Sequence, residues 1–217
     1  MIEQHRFVNV ALLLWGGAFC LIAAFCLSTG KEYNREKRNW LIRMELAAAV
    51  LLCSDAAAWF VQGTPGWFSR FIMVSTNFVV YAGLYLILFL FDRYIGCYLQ
   101  EDGRLCAPRR SRLVEAVCGV GVGMVFVSQF SHLFYYIDAD NVYHRSASFP
   151  LSMVLLLLGM GAELTVLIQF YKKLTRGRRI AMFGCVLLPL SVAGCQLFQD
   201  AVSLISLSIG ASMILLF

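Results

Sequence analysis

The sequence predicts an all-α integral membrane protein: a bundle of seven transmembrane helices, N-terminus out and C-terminus in, with a short extracellular β-hairpin between helices four and five. Three observations carry this. Hydrophobic residues make up 60% of the 217-residue chain and charged residues 14%, against roughly 45–50% and 25% in soluble domains. The apolar residues gather into seven runs, most of them near the ~20 residues that cross a bilayer as a helix. The basic residues gather in alternate links, which is how membrane orientation is written. Of 18 Lys and Arg, five fall in 28–43, five in 93–112 and five in 172–179, leaving Arg6, Arg70 and Arg145 for the other side.

The runs justify themselves in order. The first, 7–27, carries no charge. A secretory signal peptide is the competing reading, but the preceding Met-Ile-Glu-Gln-His-Arg is barely basic and no small-x-small cleavage site follows. The second, 40–62, is entered past Arg43 and Glu45 and ends at Gly63-Thr-Pro65-Gly66, a composition that stops a helix and reverses the chain. The third, 67–91, begins at Trp67, which with Trp59 suits the outer headgroup belt. Residues 92–112 read as the longest inner link.

The fourth run, 113–134, contains Gly119, Gly121 and Gly123; glycines four apart let helix backbones approach, so Gly119 and Gly123 are expected to mark a packing face. Residues 135–148 look extended, with β-formers on either side of Ala139-Asp140-Asn141, a hairpin tip. The fifth run is 149–171. The sixth, 180–198, contains Pro189, which predicts a kink. The seventh, 202–217, places Ser203, Ser206 and Gly210 on one face. The chain reads as a single membrane domain over 1–217 with no output domain.

Polar residues inside these runs are the candidate site. Asp55 sits among membrane-grade residues, where a carboxylate costs a few kcal/mol on insertion scales, about 3. It is tolerated only with a partner, a wet cavity or a proton. Helix rise puts Asp55 about 11 Å and Arg70 about 5 Å below the outer ends of adjacent helices, so an ion pair between them is feasible. Gln129, His132 and Gln196 share that outer half with Trp59, and Asn77 lies nearer the midplane. Together they suggest a signal pocket opening outward, although interhelical hydrogen bonds that merely hold the bundle would use the same residue types. Glu163 is a second polar site nearer the inner side. Asp138, Asp140, Asn141 and His144 match no calcium loop, and no metal or cofactor is expected. No phosphate-binding loop, zincin or nucleophile-elbow motif occurs, and the net charge of +5 lies in links between apolar runs, so neither an enzyme nor a nucleic-acid binder is indicated.

Several short motifs point to a family. Asp55-Ala-x-Ala-Trp59 before a Gly/Pro turn and Asn77-Phe78 leading a long third helix are two of them. Tyr136-Ile-Asp138…Asn141-x-Tyr143-x-Arg145 before helix five is a third, and Tyr171-Lys-Lys-Leu-Thr-Arg followed by Leu187-Leu-Pro189 a fourth. In these the chain resembles the N-terminal seven-helix membrane sensor region of clostridial-type diguanylate cyclases (GGDEF) and sensor histidine kinases. The resemblance implies a sensory input domain in the plasma membrane that passes an extracellular or intramembrane signal from a small-molecule or lipid ligand to a cytoplasmic output domain, as a homodimer. It implies no enzymatic activity for these residues themselves. The alternative reading is a small transporter or channel-like protein using Asp55 and Glu163, although no inverted repeat is visible.

Overall fold

The computed structural model describes residues 2–30, 34–100, 107–198 and 203–217. Seven α-helices lie among them: α1 (Ile2–Thr29), α2 (Arg35–Val61), α3 (Trp67–Leu99), α4 (Pro108–Ser131), α5 (Phe149–Gln169), α6 (Arg176–Phe198) and α7 (Leu204–Leu216). Six are long and apolar enough to cross a membrane; α7, with 13 residues, is shorter than that. The architecture is that of a multi-pass membrane protein. Of the expected features, Lys31, Arg104 and the start of run seven at 202 lie outside the described residues.

Local chemistry sets the helix ends. Asn34 caps α2, its Oδ1 accepting from the Glu36 amide at 3.0 Å. Proline stands in the first turn of α4 and of α5, where its missing N–H costs nothing. His132 ends α4 in the left-handed conformation (φ 56°). The α2–α3 turn needs positive φ at Gly63 (73°) and Gly66 (120°), which is why both positions are glycine.

Two helices are longer than their apolar runs. α2 starts five residues before residue 40, and α3 continues through Asp92 and Arg93 to Leu99. Phe91, Ile95 and Leu99 keep the apolar spacing of a buried stripe, so the charges mark where the membrane-grade stretch thins and not where the helix stops. Pro189 lies inside α6, which continues on both sides of it.

Each helix packs on its neighbours in sequence, and α7 returns to α1, closing a ring; α7 also touches α2, and α3 touches α5. The most buried spans are α2 and α3, whose Met44, Leu51, Leu52, Tyr85 and Tyr94 are sealed in the centre. Large apolar side chains cover the outside, among them Trp15, Phe25, Phe126, Phe130 and Ile180. A surface of that kind suits a hydrocarbon solvent and would be a liability in water. The expected glycine face is corrected: a Cβ on Gly119 or Gly123 would meet nothing within 4 Å, whereas one on Gly121 would fall into the Tyr85 ring. The close approach is made by the middle glycine.

The hairpin forms as expected, with β1 (Tyr135–Ile137) antiparallel to β2 (Tyr143–Arg145) and Tyr136 opposite His144. Asn141 (φ 60°) turns its tip. The tip grips the α2–α3 turn: Asn141 Nδ2 donates to the carbonyls of Val61 (3.0 Å) and Thr64 (3.2 Å), and the Gly63 amide donates to Asn141 O (2.9 Å). Arg6 of α1 donates to the carbonyls of Trp59 and Phe60, so the N-terminus lies at this end too. At the opposite end Arg38 reaches Gly30, Lys37 lies over Tyr98, and Arg178 reaches both Tyr94 and Leu216. Most of the basic residues therefore share one end of the bundle and the hairpin caps the other.

Candidate functional site

Beneath the hairpin lies a cavity of about 390 Å³ between α2, α3, α5, α6, α7 and the two strands. Of the residues expected in a pocket, Asp55, Trp59, Asn77 and Gln196 line it. Their positions follow from helix geometry: Asp55 and Trp59 are four apart on α2 and so share a face. Asn77 on α3 donates Nδ2 to the carbonyl of Met73 at 2.8 Å, a bond within its own helix that leaves its amide oxygen for other contacts.

Arg70, Gln129 and His132 do not line it, and the expected Asp55–Arg70 pair does not form. The hairpin lies over the start of α3 and presents carbonyls to Arg70, which donates to Asp138 O (2.8 Å) and Ile137 O (3.4 Å). Gln129 Nε2 donates to Tyr135 Oη (2.5 Å), and the His132 carbonyl accepts from Ser146 Oγ (2.5 Å). All three brace the hairpin over the cavity, from its edges.

Asp55 is 7% exposed. Its Oδ1 accepts from Ser203 Oγ at 3.1 Å, and Ser203 Oγ accepts from Trp59 Nε1 at 2.7 Å. Ser206, one turn into α7, lies beside the same carboxylate, while Oδ2 makes no hydrogen bond of normal geometry. Ser203 stands immediately before Leu204, so the short relay from Trp59 through Ser203 to Asp55 ties the cavity wall to the first residue of α7. Gln196 completes the tie, its Oε1 accepting from the Leu204 amide at 2.9 Å.

The opposite wall is residues that sequence reasoning left out. Arg145 of β2 donates to the carbonyl of Gln196 (2.5 Å) and lies over the Phe149 ring (4.5 Å to its centroid). Tyr81 and Tyr143 share a hydrogen bond of 2.5 Å between their hydroxyls, and Tyr81 stacks on Tyr135. Burial pushes the Tyr135 phenol up to about 12. Outside the cavity, Asp138 accepts from the Val142 amide (2.8 Å) and pairs with His144 (2.7 Å), contacts that hold its carboxyl below the usual carboxylate range. Arg145 was legible as an outer-side basic residue and as the end of the hairpin motif, not as part of the pocket, and Ser203 and Ser206 only as a small-residue packing face.

Glu163, the second candidate, is 1% exposed on α5, with no hydrogen-bond partner at either oxygen among the described residues. It borders a cavity of about 20 Å³, room for a single water, together with Asp92 and Ser111, whose Oγ donates to Asp92 Oδ2 at 2.7 Å. Glu45 on α2 is fully buried, also without a partner at either oxygen and close to Cys20. Neither Asp92 nor Glu45 was expected inside, because each was read as marking a membrane boundary.

The arrangement suits binding. Among the described residues, an aromatic-walled chamber holds one carboxylate and one guanidinium, and its floor is the start of a helix. No family model matches the chain, and no curated protein or solved structure shows significant similarity to it.

Proposed function

We propose that the chain is a sensory input domain of the plasma membrane, its hairpin end outside and its basic end in the cytoplasm, where an output domain of the diguanylate cyclase or histidine kinase kind receives the signal. The motif resemblance supports the class of protein, and the charge bias supports the orientation. The observation that carries the mechanism is the Trp59–Ser203–Asp55 relay. A ligand that competes for Asp55 changes what holds the start of α7, whose other end carries the Leu216 carbonyl bonded by Arg178 (3.3 Å). Such a signal requires two packings of α7 with different ligand affinity.

The test is a chain carrying a diguanylate cyclase domain beyond Phe217, with cyclic dinucleotide as readout. Ser203→Ala and Asp55→Asn should each reset basal output severalfold, in the same direction. Output equal to the parent's from both would falsify the coupling. A second reading, a small transporter or channel-like protein, is favoured by Glu45, Asp92 and Glu163, carboxylates buried at several depths as a cation path requires. Solute-dependent proton or cation movement in proteoliposomes, lost in Glu163→Gln, would select it.

A further inference from the structure

We infer that the small cavity between α3, α4 and α5 binds one sodium ion, held by the carboxylates of Asp92 and Glu163 and the hydroxyl of Ser111. The site is separate from the chamber under the hairpin and rests on neither reading of function. Three observations lead there.

The first is Glu163 itself. It is 1% exposed and lines the cavity, and neither of its oxygens has a hydrogen-bond partner among the described residues. A carboxylate sealed in a membrane bundle is expensive, and is kept where a cation, a water or a proton relieves it. Asp92 of α3, also buried, stands beside it. Two carboxyl groups sharing one site cannot both stay charged with nothing positive between them.

The second is what the pair surrounds. A shared proton needs the two acids in contact and nothing more. Here both border a void of about 20 Å³, together with Ser111. Ser111 Oγ donates to Asp92 Oδ2 at 2.7 Å and keeps its lone pairs, so these three side chains offer the void acceptors and no free donor. Carboxylate and hydroxyl oxygens are the ligand set of a hard cation. The other described walls, among them Ile95, Leu99, Ala107 and Val166, are apolar.

The third is size and charge. The void has room for one water-sized occupant. That is too little for an organic cation or for the waters a magnesium ion retains, and calcium takes roughly six to eight oxygens. Among the described residues no three His, Cys, Asp or Glu side chains gather to hold a metal, which removes a zinc-type site. A desolvated alkali ion remains, sodium before the larger potassium. Close packing fixes the cage. One turn before Glu163, a Cβ on Gly159 would fall against Leu88 of α3, so α5 is seated tightly and the oxygens are placed before an ion arrives.

The experiment uses the full chain in nanodiscs, at one alkaline pH and constant ionic strength. It reads the thermal unfolding midpoint while sodium chloride replaces choline chloride. Sodium should raise the midpoint by several degrees and saturate, because an ion bound by the folded state alone stabilises it. Potassium should do markedly less. Glu163→Gln and Asp92→Asn should each abolish the sodium dependence, whatever they do to the midpoint itself. Ser111→Ala should raise the half-maximal sodium concentration about tenfold. Asp55→Asn, in the other cavity, should respond to sodium as the parent does. A parent midpoint that sodium leaves unchanged overturns the site and leaves the carboxyl pair to a shared proton, with no variant needed. Equal shifts with sodium and potassium would mark a salt effect, and a dependence that survives Glu163→Gln would put the ion elsewhere; either overturns the assignment. So does a larger shift with millimolar calcium, which would make this a divalent site.

Discussion

Asn141 shows what one side chain does for the site. At φ 60° it occupies a conformation that costs most residues about 1–2 kcal/mol, and its amide ties the hairpin to the α2–α3 turn. Asn141→Ala should lower stability by about 1–3 kcal/mol, from backbone strain and two lost hydrogen bonds. Asn141→Gly should recover the strain and not the bonds, falling between the two in a denaturation series. Asp138 supplies a pH dependence. Its pKa lies below the ordinary carboxylate value, so its contribution is complete above the unfolded pKa of about 3.9 and is lost as pH falls through the folded one. Amide exchange at Val142 should stay slow down to mildly acidic pH and accelerate below that range; in Asp138→Asn the acceleration should vanish. Asp55 was legible because a carboxylate within an apolar run has few innocent explanations. Arg145 was not: a basic residue in a loop is ordinary, and only the fold brings β2 over the cavity.

Elements were legible to different degrees for reasons of geometry. Apolar runs locate helices well, and β-formers flanking Asp140-Asn141 located the hairpin. Helix ends were misplaced where charge was taken as a stop, as at Asp92 in α3, because membrane boundary and helix boundary are separate events. Glycine spacing misled in a related way: it suggests that a helix can be approached, and cannot say which glycine is approached. Gly121→Ala should cost about 1–3 kcal/mol by overpacking against Tyr85. Gly119→Ala and Gly123→Ala should be neutral or stabilising, by up to about 1 kcal/mol of helix propensity. Thermal melts in detergent decide it; equal losses at all three would restore the outer pair as the packing face.

For the molecule as a whole, the described contacts assign loops to ends without reference to a membrane. Arg6, the α2–α3 turn, the hairpin, Gln196 and Ser203 meet at one end, and basic residues meet at the other. Reporter fusions should therefore sort into two groups: those in the hairpin active only outside, those after Phe217 active only in the cytoplasm. Cytoplasmic labelling of a cysteine placed at Asp140 would invert the orientation. The packing of successive helices was foreseeable from seven runs joined by short links, since such neighbours pack antiparallel; the return of α7 to α1 was not. The cavity was not, because its walls come from five helices and both strands of the hairpin, whose approach no local pattern records.

The way α7 is held has a mechanical consequence. Side-chain contacts grip it at both ends, Ser203 and Gln196 at one and Arg178 at the other. A membrane that thickens or thins loads the helices that must match it, and contacts of this kind resist that load. The height of α7 is then set by its protein neighbours, so the output should respond to chemistry in the cavity and ignore the acyl-chain length of the surrounding lipid. Ligand response measured across nanodiscs of graded thickness should superimpose; a midpoint that drifts steadily with thickness would show that α7 is pulled by the bilayer after all.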